Sequence, residues 1–343
     1  MITVSSPGKV HLIGEHAVVY GEPAIIAAIG KRTIVKAKKS NIVSYTDKRF
    51  NSTISWALGE VKKTTEETIN LWHSCFEKKD FSELFKFIKN NGFMNYKKTI
   101  VGIVLNKLNI MGGVSLTIDS NIPIGAGLGS SSSLAVALVK AIAELYGKKI
   151  SLDKINEIAY ELEKIIHGTP SGGDNSACCF GSLIWFRKAQ PKNEIVSLKK
   201  EIPYKLENFV LVYTKPPEKT TGELVQLVRN LDEKYRNKRV KKIGKLVYEM
   251  RDVLKKKNFE RMKEIINENQ KILAELGVSC KEIDKISKAV KKIGGAAKLC
   301  GAGGGGVVLC YHEDKKKLIE TIKSFGFEPW ETELAVEGVR IEK

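Results

Sequence analysis

The chain has 343 residues, 43% of them apolar and 28% charged, which excludes a disordered polymer and is long enough for two domains with separate cores. Lys and Arg number 57 against 39 Asp and Glu, a net charge of +18, for which nucleic acid is one reading. The excess is mostly Lys on helical stretches such as "KRVKKIGKLVYEM", without the interleaved Arg and aromatic residues that read bases, so a solvated surface is expected and no nucleic-acid partner.

The opening, "ITVSSPGKVHLIGEHAVVYGEPAIIAAI", alternates short apolar runs with Gly and Pro, predicting strand, loop and a return element, with Lys9, Glu15 and His16 beside turns. Residues 42 to 100 show helical periodicity around "SELFKFIKNNGF" and contain two Trp, but carry no legible chemistry. From residue 113, "GVSLTIDSNIP" alternates Val114, Leu116 and Ile118 as a half-buried strand does. A Gly and Ser loop follows, and "SLAVALVKAIAELYGKK" places Leu134, Leu138, Ala141, Ile142 and Leu145 at helical spacing before Gly147. "SLDKINEIAYELEKIIHG" predicts a second helix, opened at Ser151 and closed by Gly168. The Lys-rich polar stretch after "GSLIWFRKAQPKNE" puts a domain boundary near residue 190, dividing the chain into 1–190 and 191–343. Several amphipathic helices, the run "KLCGAGGGGVVLCYHED", a helix near 315–324 and a closing strand at "ETELAVEGVRIEK" complete the chain.

No apolar run approaches the roughly 20 residues that cross a bilayer. The N-terminus lacks a basic region followed by an apolar stretch, and the six cysteines form no C-x-x-C pair. A cytoplasmic protein with reduced thiols and no membrane partner is therefore expected.

Three stretches carry chemistry. "GAGGGG" at 301–306 satisfies the dinucleotide fingerprint G-x-G-x-x-G, but "VVLCYH" after it reads as a strand where the fingerprint needs a helix to hold the pyrophosphate. Five glycines in six residues exceed what a turn requires and suit close approach of backbone to a ligand, a phosphate above all. "IPIGAGLGSSSSL" lies between strand and helix, so its N–H groups and Ser130 to Ser133 gather at a helix N-terminus, which favours an anion. In "IIHGTPSGGDNSACC", Asp174 reads equally as a turn former or a functional carboxylate. Glu163 sits near the C-terminal end of its helix, where the dipole does not favour it, and a divalent metal would supply a partner.

Together these stretches resemble the GHMP kinase superfamily and, within it, the mevalonate kinases. "PGKVHLIGEHAVVYG", "PIGAGLGSSSSLAVAL" and "KLCGAGGGGVVLCY" are similar to the three family motifs in order, and "EKIIHGTPSGGDNS", "TKPPEKTTGELV" and "ENQKILAELGVS" extend the likeness. The resemblance implies an α+β fold with an N-terminal domain like ribosomal protein S5 domain 2 and a C-terminal ferredoxin-like domain. It implies ATP-dependent phosphorylation of the primary hydroxyl of mevalonate, with Mg2+ as cofactor and ATP and mevalonate as partners. On this basis Asp174 corresponds to the catalytic base and Lys9 to the lysine beside it. Pro123, Gly125, Ala126, Gly127, Leu128, Gly129, Ser130, Ser131 and Ser132 correspond to the ATP phosphate loop. Ser131 and Glu163 fall on the magnesium positions, with Ser130 an alternative to Ser131. Glu15, His16, Asp174, Thr220, Gly301, Ala302, Gly303 and Gly304 fall on the mevalonate side. The sequence departs from the family pattern at Gly173, where an aliphatic residue is usual and a looser turn is expected. It departs again at Cys300, where Thr or Ser is commoner and a hydrogen bond is weakened.

Carboxylate chemistry suits the reaction, since a base must take the alcohol proton as the O–P bond forms and an adjacent ammonium keeps that base ionised. The alternative division, with Lys9 activating the alcohol and Asp174 acting electrostatically, stays open. So do a phosphomevalonate, sugar or other small-alcohol acceptor and, from a different class, an RNA-binding protein on an S5-like sheet. The oligomeric state is open as well, a homodimer included.

Overall fold

The computed structural model describes residues 1–342. The N-terminal apolar runs form β1 (Ile2–Ile13) and β2 (Pro23–Ser40), with a short 3-10 turn at Ala17–Tyr20 between them. The stretch without legible chemistry folds into the hairpin β3 (Val43–Asp47) and β4 (Ser52–Trp56), then α1 (Leu58–Lys78) and α2 (Ser82–Lys107). Within α2 the helix breaks at Asn90–Phe93, where Asn91, Gly92 and Phe93 take left-handed φ, so the periodicity of "SELFKFIK" stops at "NNGF".

β5 (Gly113–Ser120), α3 (Ser130–Leu145) and α4 (Leu152–His167) stand where alternation and helical spacing predict them. The Ser151 side chain accepts the Lys154 N–H at 3.2 Å and caps α4. The chain continues through α5 (Gly173–Phe180), β6 (Leu183–Arg187), β7 (Glu194–Ser197), β8 (Leu206–Tyr213), α6 (Thr221–Arg229), α7 (Glu233–Lys255), α8 (Phe259–Glu275) and α9 (Lys281–Lys292). It closes with β9 (Ala296–Leu299), β10 (Val307–Tyr311), α10 (Lys315–Ser324), β11 (Pro329–Leu334) and β12 (Arg340–Ile341). The closing segment is thus two strands, because Ala335 takes a positive φ and turns the chain out of β11.

The strands join in one sheet in the order β4-β3-β5-β2-β11-β8-β10-β9, with β1 pairing β2 and β12, and β6 pairing β2 and β7. Residue 190 lies in the connection of the paired β6 and β7, and β11 and β12 return to β2 and β1, so hydrogen bonding runs unbroken between the halves. The apolar residues form two main cores. One packs α1 to α4 on β2, β3 and β5 through Val35, Leu116, Ile100, Leu138 and Ile158. The other packs α7 to α9 on β8 to β10 through Phe209, Leu211, Val247, Ile265 and Leu309, and takes in Val10 and Leu12 of β1. The second half of β1 therefore runs into the junction of the two cores, where Lys9, Glu15 and His16 are buried. No helix of the described residues is long and apolar enough to cross a membrane.

Candidate active site

Lys9 lies inside β1, just past a register shift between Pro7 and Gly8; the Gly and Pro beside it mark that irregularity and not the turn expected from the sequence. Its backbone N–H donates to Leu128 O at 2.9 Å, and its ammonium meets Asp174 Oδ2 at 3.0 Å. Asp174 is the second residue of α5, so the expected turn is a helix start, where the dipole favours a carboxylate. Burial works against both charges, but each group's attraction to the other prevails. Asp174 is held below the usual carboxylate range, and Lys9 above the usual lysine range. The Lys9 side chain is 8% exposed and that of Asp174 38%, so the pair sits deep while the carboxylate keeps an open side. The expected loosening at Gly173 does not occur. A Cβ there would lie 2.7 Å from Ile26 Cδ1 and 3.2 Å from Phe186 Cδ2, so these side chains fill the space an aliphatic residue would take.

The loop between β5 and α3 alternates anchors with open positions: Ile122, Ala126 and Leu128 are buried, whereas Gly125 and Gly127 are exposed. Pro123 is half-buried beside them. Gly129 has φ +72° and its Cβ position lies 2.7 Å from Lys9 Cγ, so only glycine brings the loop this close to the lysine. α3 opens at Ser130 with no side-chain cap and no acidic residue in its first turn, which leaves its first N–H groups for an anion.

The four serines divide their tasks. Ser131 donates to Glu163 Oε2 at 3.4 Å, Ser132 makes a shorter bond to the same oxygen, and Ser133 donates to Ser6 O at 2.7 Å. The Ser130 side chain makes no hydrogen bond among the described residues, so the structure joins Glu163 to Ser131 and Ser132 and not to the alternative Ser130. Glu163 is 2% exposed, its Oε1 is buried without a partner, and burial pushes its pKa up to about 7 against the Ser132 hydrogen bond. An orphaned buried carboxylate oxygen is costly, and a small hard cation is the partner that would relieve it.

Glu15 and His16 follow β1 in a loop that is buried. The Glu15 carboxylate is bonded to the ammonium of Lys298, a wholly buried residue on β9. His16 Nε2 meets Ala302 O at 2.9 Å. All of Gly301, Gly303, Gly304, Gly305 and Gly306 have positive φ. At Gly303, φ is +88° and a Cβ would lie 2.0 Å from Val278 O, so the run is set by close backbone packing as well as turning. The Cys300 thiol donates to His11 O at 3.8 Å, the weak bond expected of sulfur. Thr220 stands apart from the rest. It caps α6 in a reciprocal capping box with Glu223, its hydroxyl is committed there, and no hydrogen bond joins it to either glycine loop.

Three site residues escaped the sequence reading. His167 Nε2 is 3.2 Å from Ser131 Oγ and 3.6 Å from Glu163 Oε2; its spacing of four from Glu163 on one helix was the available signal. His11, two residues past Lys9 on β1, has its pKa lowered to about 4 by burial and by the Lys9 charge; strand alternation would have put it on Lys9's face. Lys298 had no signal, being one basic residue among 57.

Residues 95–182 match the family described as GHMP kinases N terminal domain, and residues 250–327 match GHMP kinases C terminal. The first match takes in the serine loop, Glu163 and Asp174, and the second the glycine run. The class is thereby set: ATP-dependent kinases with the α+β GHMP fold. Within it, a mevalonate kinase of Pyrococcus furiosus is 32% identical over 360 positions, covering 100% of this chain and 98% of the relative. A crystal structure of mevalonate kinase matches with a TM-score of 0.82 at 29% identity, covering 98% of this chain and 100% of the other. The structure of the Methanococcus jannaschii mevalonate kinase matches with a TM-score of 0.80 at 28% identity, covering 96% and 97%. The chain belongs to the mevalonate kinase family.

Proposed function

We propose that the chain transfers the γ-phosphoryl group of ATP to the primary 5-hydroxyl of mevalonate where Lys9 and Asp174 meet beneath the serine loop. The observation that carries this reading is the 3.0 Å contact of Lys9 Nζ with Asp174 Oδ2, on a strand tied by the Lys9 N–H to Leu128 O. The alcohol oxygen bonds to the γ-phosphorus, the bond from that phosphorus to the β-phosphate bridge breaks, ADP leaves, and the alcohol proton passes to Asp174. A carboxylate held ionised by its neighbour is suited to accept that proton. Lys9 is held above its ordinary range and so stays protonated at neutral pH, which favours Asp174 over Lys9 as the base. Lys9 then stabilises the oxygen's growing negative charge.

The N–H groups from Gly125 to Ser132 hold the phosphates in line, and Pro123, Ala126 and Leu128 anchor the loop that presents them. Glu163 and Ser131 would hold Mg2+, whose fit rests on the orphaned Glu163 Oε1 and the nearby hydroxyls; when bound it neutralises charge on the β- and γ-phosphates. Ser132 orients Glu163 from behind, and His167 is the further neighbour on α4. Glu15 and His16 line the acceptor side, closed by Gly301, Ala302, Gly303 and Gly304. A coupled ADP-release assay across mevalonate, phosphomevalonate and several sugars tests the reading: mevalonate should be preferred by at least an order of magnitude in kcat/KM, and equal use of the others would sink it.

A further inference from the structure

The Lys298 ammonium bonds to Glu15 and donates to His11 O at 3.2 Å. The two side chains are 0% and 1% exposed. Removing two charges from water costs more than their attraction reliably returns, and an apolar pair of similar volume would serve a core as well or better. Stability alone therefore does not account for the pair. What it does is join β9, which feeds the glycine run, to the loop Gly14–His16 at the end of β1. No ladder connects these strands, since β9 pairs with β10 and β1 with β2 and β12.

Two other bonds lie along the same seam, His16 Nε2 with Ala302 O at 2.9 Å and the Cys300 thiol with His11 O at 3.8 Å. His16 has φ +60° and ψ −40°, a conformation that a residue with a side chain rarely adopts and that persists only where surroundings impose it. Glu15 Oε2 and His16 Nδ1 are both buried without partners. Adjacent residues thus each spend one polar atom on the seam and keep one free.

We infer that Lys298 is a positioning residue: through Glu15 it aligns the loop Gly14–His16 with the glycine run 301–306, and so sets the acceptor side of the site across the junction of the two halves. The inference rests on the reading of Glu15 as an acceptor contact. Glu15 has two carboxylate oxygens related by rotation of its side chain, and an ammonium on Oε1 fixes which way Oε2 points. Without it, the carboxylate is free to turn, and β9 loses its hold on His11 O.

The test is steady-state kinetics with ATP and mevalonate varied separately on Lys298→Met, Glu15→Gln and the double variant, with circular dichroism and thermal unfolding on each. The neutral but hydrogen-bonding Lys298→Gln stands in if Lys298→Met does not fold. Each single variant should raise KM for mevalonate at least tenfold and leave KM for ATP within twofold. The double variant should be no worse than the weaker single one, because both remove one interaction. If Glu15→Gln raises the mevalonate KM and the Lys298 variant does not, the inference is overturned and Glu15 keeps its role. If Glu15→Gln leaves mevalonate KM unchanged, the acceptor reading of Glu15 fails and the inference with it. A Lys298 variant that only melts earlier, or that raises both KM values alike, marks a purely structural pair and overturns the inference.

Discussion

The two glycine-rich loops resemble each other in composition and differ in the element each one feeds. The loop at 125–129 opens a helix, so its backbone donors are backed by a dipole and joined by hydroxyls that reach Glu163. The run at 301–306 turns β9 into β10, and no helix dipole backs it. Val278 O presses against Gly303, and Lys215 O and Pro217 against Gly305, whereas Gly301 and Gly306 meet nothing and serve the turn through their positive φ. One loop carries charge chemistry and the other carries shape. Composition alone does not separate them; the helix or strand downstream does.

The largest expected effect lies beside the first loop. Asp174→Asn should lower kcat by about 100- to 10,000-fold, the range for loss of a general base, with ATP affinity by calorimetry within a few-fold of the parent. Turnover near normal would remove Asp174 from the chemistry. Glu163→Ala should come next, weakening the Mg2+ dependence of ATP binding by about tenfold or more, measured by titrating Mg2+ at fixed ATP. A variant with an unchanged Mg2+ titration would mean that the serine loop works without Glu163.

The Lys9 and Asp174 pair makes a pH prediction. Burial raises the Asp174 pKa and Lys9 outweighs it, leaving the pKa below the ordinary value. Asp174 is therefore ionised, and active as base, above that lowered pKa. Lys9→Met leaves burial unopposed by the nearest charge, so the acid limb of residual kcat/KM should move to higher pH. A limb that stays in place would separate Lys9 from the base.

Two alanines compare the loops directly. Gly303→Ala meets Val278 O as well as a positive φ and should lower stability by more than the roughly 1–3 kcal/mol of backbone strain alone. Gly125→Ala has open space around its Cβ, so only the strain of about 1–2 kcal/mol applies, and the loss should fall on ATP affinity. Equal melting shifts would erase the distinction between a shape loop and a phosphate loop. The smallest effect is expected at Thr220→Ala. Losing its capping box should cost about 1 kcal/mol of stability and leave the mevalonate KM near the parent's; a large rise in that KM would return Thr220 to the acceptor side.

Legibility in the sequence followed periodicity. β5, α3 and α4 repeat one spacing over many residues and stand where that spacing placed them. α2 does not, because three consecutive left-handed residues at Asn91–Phe93 interrupt it. Asp174 was obscured by "TPSGGD", whose turn formers lead into a helix of eight residues, too short to show a period. That helix opens from Gly172, left-handed at φ +86°, and is held by Ala177 and Cys178 of its second turn packing inward. Lys9 was displaced for a related reason: Pro7 and Gly8 before it signal a bulge in a long strand, and a bulge and a turn use the same residues.

By itself, the sequence determined the local pieces: which segments alternate, where helices start and stop, that a strand comes after "GAGGGG", and which motifs stand in what order. Those arise from forces acting within about ten residues, side-chain period and capping above all. Only the tertiary structure decided that Glu163 meets Ser131 and Ser132, that Lys9 meets Asp174 across 165 positions, and that Lys298 reaches Glu15 across 283. Such contacts depend on how two cores pack against one strand, and the spacing of residues along a chain does not encode the distance between them once it folds.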